Sequence, residues 1–213
     1  RQAEEGVAVG EGLELLARHT IERDVDRIAH RNGAFERCVA RGIGPDRGRL
    51  AAAVTERTRA IIVNSPNNPT GVVYSPQTVE RLGEFMRGMD REDRPAYLLC
   101  DDIYRRLIFD QPWCPAAAQH YHRAIVCSSY SKDLSVPGER LGYIALKPDV
   151  PQRDLLLAGM TMRNRTLGFV NAPALQQRII ARCADALGDV AFYKQNRDLL
   201  CGALREIGYQ MNL

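Results

Sequence analysis

An α/β fold with a mostly parallel sheet and helices on both faces is predicted by three features of this 213-residue sequence. Short β-branched or apolar runs recur at 60–63, 97–100 and 124–127, each bounded by turn-forming residues. Stretches with helical spacing separate or follow them, the pattern of crossover-connected parallel strands. Each run also ends on a polar cluster, and ligands of open parallel sheets bind at the carboxyl ends of the strands.

Residues 1–49 hold nine arginines, no lysine, no tyrosine and one phenylalanine, Phe35. The glycines between Gly6 and Gly12 follow no convincing strand, so they do not make a dinucleotide loop. This segment is treated as atypical and separate from 50–213. Residues 50–57 suit a short helix. The run 60–63 is a buried strand, and the Asn64-Ser65-Pro66-Asn67-Asn68-Pro69-Thr70-Gly71 stretch stops regular structure after it. Ser75 followed by Pro76 is an N-cap with proline at the first helical position. Val79, Leu82, Phe85, Met86 and Met89 then mark one face of the helix they start. The strand 97–100 ends on Asp101 and Asp102, and the strand 124–127 runs into Ser128-Ser129-Tyr130-Ser131-Lys132. Residues 141–146 read as a fourth strand. Helices are expected over 154–162, 173–187 and 190–207, the last closed by Gly208.

Composition narrows the function classes. The chain is 45% hydrophobic and 26% charged, enough to bury a core as one large domain or two small ones. A net charge of +3, with basic residues spread along the chain, gives no nucleic-acid patch. No apolar run approaches the roughly 20 residues of a membrane span, and the opening residues do not read as a signal peptide. Six cysteines without a C-x-x-C pair point to a reducing, cytoplasmic setting. His120 and His122 could be half a metal site. No acid or cysteine stands at ligand spacing, so they are expected in a surface loop, and no metal site is expected.

Lys132 stands out by rarity. Of 29 basic residues 26 are arginine, and the only lysines are Lys132, Lys147 and Lys194. An amine can lose its proton and attack a carbonyl, which a guanidinium cannot do. Alone, Lys132 would equally suit a solvated loop. Asn68 within its Pro/Gly-rich turn, Asp101 with Tyr104, Ser129 with Lys132, and Gly138-Glu139-Arg140-Leu141-Gly142 are each weak signals; in this order and spacing they are specific together.

From about Leu50 to the C-terminus these motifs resemble the class I/II aminotransferases of the fold type I pyridoxal-phosphate enzymes. The resemblance implies that 50–213 is the cofactor-binding large domain, ending in the long helix that leads to a small domain. Family members are nearly twice as long, and most of that small domain is expected to be missing here. It implies pyridoxal 5'-phosphate held as a Schiff base by Lys132, which then moves the substrate proton. Asp101 would pair with the pyridinium nitrogen, and Asn68 and Tyr104 would donate to the ring's phenolic oxygen. Ser129, Ser131 and Arg140 would hold the phosphate, and the Asn68–Pro69 bond would be cis. Lys132, Asp101 and Tyr104 are thus the implied catalytic residues. The implied activity transfers an amino group from an aspartate-like or broader range of L-amino acids to a 2-oxo acid, in a homodimer. The ε-nitrogen of Lys132 is expected to be buried, and Arg163 and Arg165 to lie at the surface or an interface. A β-eliminating lyase would share the lysine and aspartate. A non-catalytic cofactor-sensing domain or remnant would share the fold.

Overall fold

The computed structural model describes residues 47–183 and 185–211; the expectations for 1–46 lie outside them. The chain opens with helix α1 (Arg47–Ala53), then strand β1 (Ala60–Asn64), helix α2 (Pro76–Met89) and strand β2 (Tyr97–Asp101). A 3-10 turn over Ala117–His120 precedes β3 (Ala124–Ser129), which passes directly into a four-residue helix, α3 (Tyr130–Asp133). A second 3-10 turn (Pro137–Glu139) leads to β4 (Gly142–Leu146). Helices α4 (Arg153–Thr166), α5 (Ala174–Cys183) and α6 (Val190–Glu206) complete the described chain.

The sheet order is β1-β2-β3-β4, with β1, β2 and β3 parallel and β4 antiparallel to β3. The fold is therefore α/β with a mostly parallel sheet, as the alternation of runs and helical spacing predicts. Antiparallel β4 follows from the connection: the short α3 turn sends the chain back along β3, with no crossover helix of the length a parallel partner needs.

Side-chain alternation along the strands divides the sheet into two faces. Ile61, Val63, Leu98, Cys100 and Ala124 are buried on one face, in a single cluster with Val79, Leu82 and Met86 of α2 and with Tyr121. Ser75 caps α2, its Oγ accepting from Thr78 N at 3.2 Å, and the expected apolar stripe faces this core. The packing needs Gly83, where a Cβ would stand 2.4 Å from the His120 carbonyl oxygen. On the opposite face of β1, Ile62 is 41% exposed. That opposite face carries Asn64, Asp101 and Cys127, paired in register across three strands.

Three helices differ from the sequence expectation, the first being α1, which spans Arg47–Ala53 in place of 50–57. Helix α4 runs on to Thr166, past the expected end at Met162, and closes where the Leu167 and Phe169 amides donate to the Asn164 carbonyl at 3.2 and 3.1 Å. Helix α5 stops at Cys183, short of Leu187, because the following loop packs against α3 through Gly188, whose amide donates to the Asp133 carbonyl at 2.6 Å. No helix among the described residues is long and apolar enough to cross a membrane.

Candidate active site

The polar residues singled out in the sequence gather at the carboxyl ends of β1, β2 and β3. The turn after β1 is held by its own amides: Gly71 N donates to Asn67 O at 2.8 Å, and Asn67 N to Val72 O at 2.9 Å. The Asn68–Pro69 bond is cis, as expected, and so is Ser65–Pro66. This turn delivers Asn68 to Tyr104, 36 residues away, and Asn68 Nδ2 donates to the Tyr104 hydroxyl at 3.1 Å. The two residues implied to share one oxygen are therefore brought together.

Asn64, which the sequence reading passed over, connects these parts. Its Nδ2 donates to the Asp101 carbonyl at 3.0 Å, while its Oδ1 accepts the Asn68 amide at 2.7 Å. One side chain at the last position of β1 thus ties the Asn68 turn to the Asp101 strand end. The available signal was an Asn ending a buried strand beside a Pro-rich turn, where its amide can satisfy backbone groups that leave the ladder.

Ser129 ends β3 and caps α3, its Oγ accepting from Ser131 N at 3.3 Å. Gly142 lies opposite Ser129 in the antiparallel ladder. A Cβ there would meet the Ser128 carbonyl oxygen at 2.7 Å and Ser129 Cβ at 3.1 Å, so glycine permits the close approach. Within α3, Ser131 and Asp133 are buried and Lys132 is exposed. The expectation of a buried lysine amine is corrected: Asp133 is held inward by Arg106 and Gly188, and Lys132 stands on the exposed side of α3. The Ser131 hydroxyl is buried without a hydrogen-bond partner among the described residues. Arg140 follows the second 3-10 turn in a left-handed conformation (φ 53°), is exposed, and donates from Nη1 to Pro137 O at 2.6 Å.

Burial dominates the local electrostatics. It raises the Asp102 carboxyl above the usual carboxylate range despite Arg105 Nη1 at 3.4 Å. Burial, then the Asp101 charge, pushes the Cys127 thiol up to about 11, and burial takes Cys100 to about 12. These thiols pack as apolar groups under the site. His122 Nε2 lies 3.1 Å from Asp90 at the end of α2, an acid that sequence spacing did not offer. Asp90 also takes Arg123, and no group of three or more metal-ligating side chains exists among the described residues.

The family model for aminotransferase class I and II matches residues 28–212. The chain belongs to that family. The match begins upstream of Leu50, inside the segment that composition set apart. A probable aspartate/prephenate aminotransferase of Thermus aquaticus is 31% identical over 171 residues, 79% of this chain and 43% of the relative. A putative aminotransferase of Bacillus subtilis, YugH, is 32% identical over 164 residues, 74% of this chain and 39% of the relative. The crystal structure of an amino transferase from Eubacterium rectale superposes with a TM-score of 0.74 at 40% identity, covering 79% of this chain and 42% of the other. The chain thus spans about two fifths of the aminotransferases it matches.

Proposed function

We propose that this chain carries the cofactor-binding large domain, residues 50–213, of a pyridoxal-phosphate-dependent aminotransferase acting on amino acids and 2-oxo acids. The observation that carries the reading is the Asn68–Tyr104 hydrogen bond, made beside the Asp101 strand end on the sheet edge that also bears Lys132. The donor set fits the cofactor: an amine, a carboxylate, an amide–phenol pair, two serine hydroxyls and a guanidinium, with the buried Ser131 hydroxyl lacking a partner among the described residues.

When bound, the cofactor supplies an electron-withdrawing ring that makes the substrate Cα–H acidic. Lys132, whose amine is a base once neutral, takes the proton from Cα and returns one during the transfer. The Asp101 carboxylate would hold the proton on the ring nitrogen. Asn68 Nδ2 and the Tyr104 hydroxyl would donate to the phenolic oxygen, their spacing preset by their own bond. Arg140 gives a planar fork suited to a phosphate dianion, and Ser129 and Ser131 add hydroxyl donors.

The T. aquaticus relative supports an aspartate-like or broad amino-donor range. A homodimer is supported by the large apolar side chains exposed on α4 and α6, Met162 and Leu199 among them. Titrating the chain with pyridoxal phosphate tests the reading. A new absorbance band should form in wild type and disappear in Lys132→Ala; a featureless wild-type spectrum rules it out. Products decide the reaction class: a new amino acid with a keto acid means amino transfer, whereas pyruvate with ammonia reassigns it to β-elimination.

A further inference from the structure

We propose that Arg106 is a positioning residue for Lys132, acting through Asp133. This rests on the reading of Lys132 given above. The guanidinium of Arg106 joins α3 to the loop before α6. Its Nη1 lies 3.4 Å from Asp133 Oδ2, and its Nη2 donates to the Ala186 carbonyl at 2.9 Å. The triangle is closed by the Gly188 amide, which donates to the Asp133 carbonyl at 2.6 Å. Gly188 is the residue that fits, since a Cβ would come within 2.9 Å of that same oxygen.

Arg106 is also two residues past Tyr104, inside a turn closed by Leu107 N donating to Tyr104 O at 2.9 Å. A displacement of Arg106 is therefore passed to the Tyr104 backbone with little slack. On the other side, Asp133 is the immediate neighbour of Lys132 and is buried. One guanidinium thus joins the turn that carries Tyr104 to the turn that carries Lys132, using the loop before α6 as a brace. Lysine at position 106 keeps the charge but has one nitrogen, so it cannot serve both Asp133 and Ala186 in this geometry.

The test uses Arg106→Lys and the near-isosteric Asp133→Asn, each first compared with wild type by thermal melting. The protein is treated with pyridoxal phosphate and borohydride, and the modified lysines are mapped by peptide mass spectrometry. Lys147 and Lys194 serve as internal references. Wild type should concentrate modification on Lys132, and each variant should lower the Lys132 share about tenfold, the scale that small misplacements of a reacting group produce. A fold-stabilising role alone would lower the melting temperature and leave the share unchanged in the folded protein. Wild-type selectivity that survives in both variants overturns the inference and leaves the aminotransferase reading standing. If wild type modifies all three lysines alike, the aminotransferase reading fails. The inference then falls with it.

Discussion

Asn64→Ala isolates the part of the site that geometry, and not the motif, points to. The substitution removes the bond to the Asp101 carbonyl at 3.0 Å and the bond from the Asn68 amide at 2.7 Å. The first is partly buried; the second is accessible, so the freed Asn68 amide recovers water. Two such bonds contribute about 1–2 kcal/mol net. In a chain of this size that is a melting temperature lower by about 2–8 °C. The second consequence concerns ligand binding. Asn68 and Asp101 lose their shared anchor, and a tenfold weaker affinity removes about 1.4 kcal/mol of ligand-induced stabilisation. Scanning fluorimetry with and without pyridoxal phosphate reads both effects: a lower apo midpoint, and a smaller upward shift on adding cofactor. Asn68→Ala, which removes only the Tyr104 contact of that side chain, should reduce the cofactor shift with a smaller apo effect. An Asn64→Ala protein that matches wild type in both scans refutes the anchoring argument.

Three further outcomes follow from named contacts. Gly142→Ala drives a Cβ to 2.7 Å from the Ser128 carbonyl oxygen, so β3 and β4 must separate; the expected cost is about 1–3 kcal/mol, with weaker cofactor binding because Ser129 moves, and wild-type values in both measurements contradict it. Cys100 and Cys127 hold their protons to about 12 and 11 in the fold, against 9.0 ordinarily. The folded state then binds more protons than the unfolded one above pH 9, so stability is intact below pH 9 and declines as pH rises toward 11–12; Cys127→Ala should flatten that decline in urea titrations, and an unchanged slope counts against buried thiols as its source. Asp102, raised mainly by burial, costs the fold stability when ionised. Asp102→Asn should raise the midpoint at pH 7, and the gain should fade as pH falls through the usual carboxylate range, where both states take up the proton; a variant less stable than wild type at pH 7 means the Arg105 contact outweighs desolvation.

Local chemistry made much of the fold legible. Ile61, Val63, Leu98 and Ala124 announce buried strands because β-branched and apolar runs between turns leave few other ways to satisfy the backbone. Ser75-Pro76 marks the start of α2 because cap and first-turn proline act within four residues. Asn68, Asp101, Tyr104 and Lys132 were found as a pattern at strand ends, and the structure brings Asn68 against Tyr104. What escaped depends on contacts distant in sequence. The reversal into β4 is set by the α3 turn, the end of α5 by Gly188 against Asp133, and the exposed position of Lys132 by the long-range contacts that hold α3 through Asp133. None of these leaves a periodic trace in the chain. The Asn64 anchor is intermediate: its residue type was informative, but its two partners lie in separate segments.

The division of labour across the sheet explains why the site sits where it does. The face carrying Ile61, Val63, Leu98 and Cys100 is committed to α2, and a charge there would be buried without solvent. Asp101 is one residue past Cys100, and the strand's alternation turns it to the other face, in register with Asn64 and Cys127. That position lets a carboxylate stand at a strand end with its backbone carbonyl tied down by Asn64 and its neighbour Asp102 held in a separate, desolvated pair with Arg105. The core therefore fixes the height of each strand end, and short-range polar bonds among Asn64, Asn68 and Tyr104 fix the side chains above it. A substitution in the core should shift all the strand-end groups together and move the melting temperature. One among the polar bonds should change the spacing of a single pair and act first on cofactor affinity.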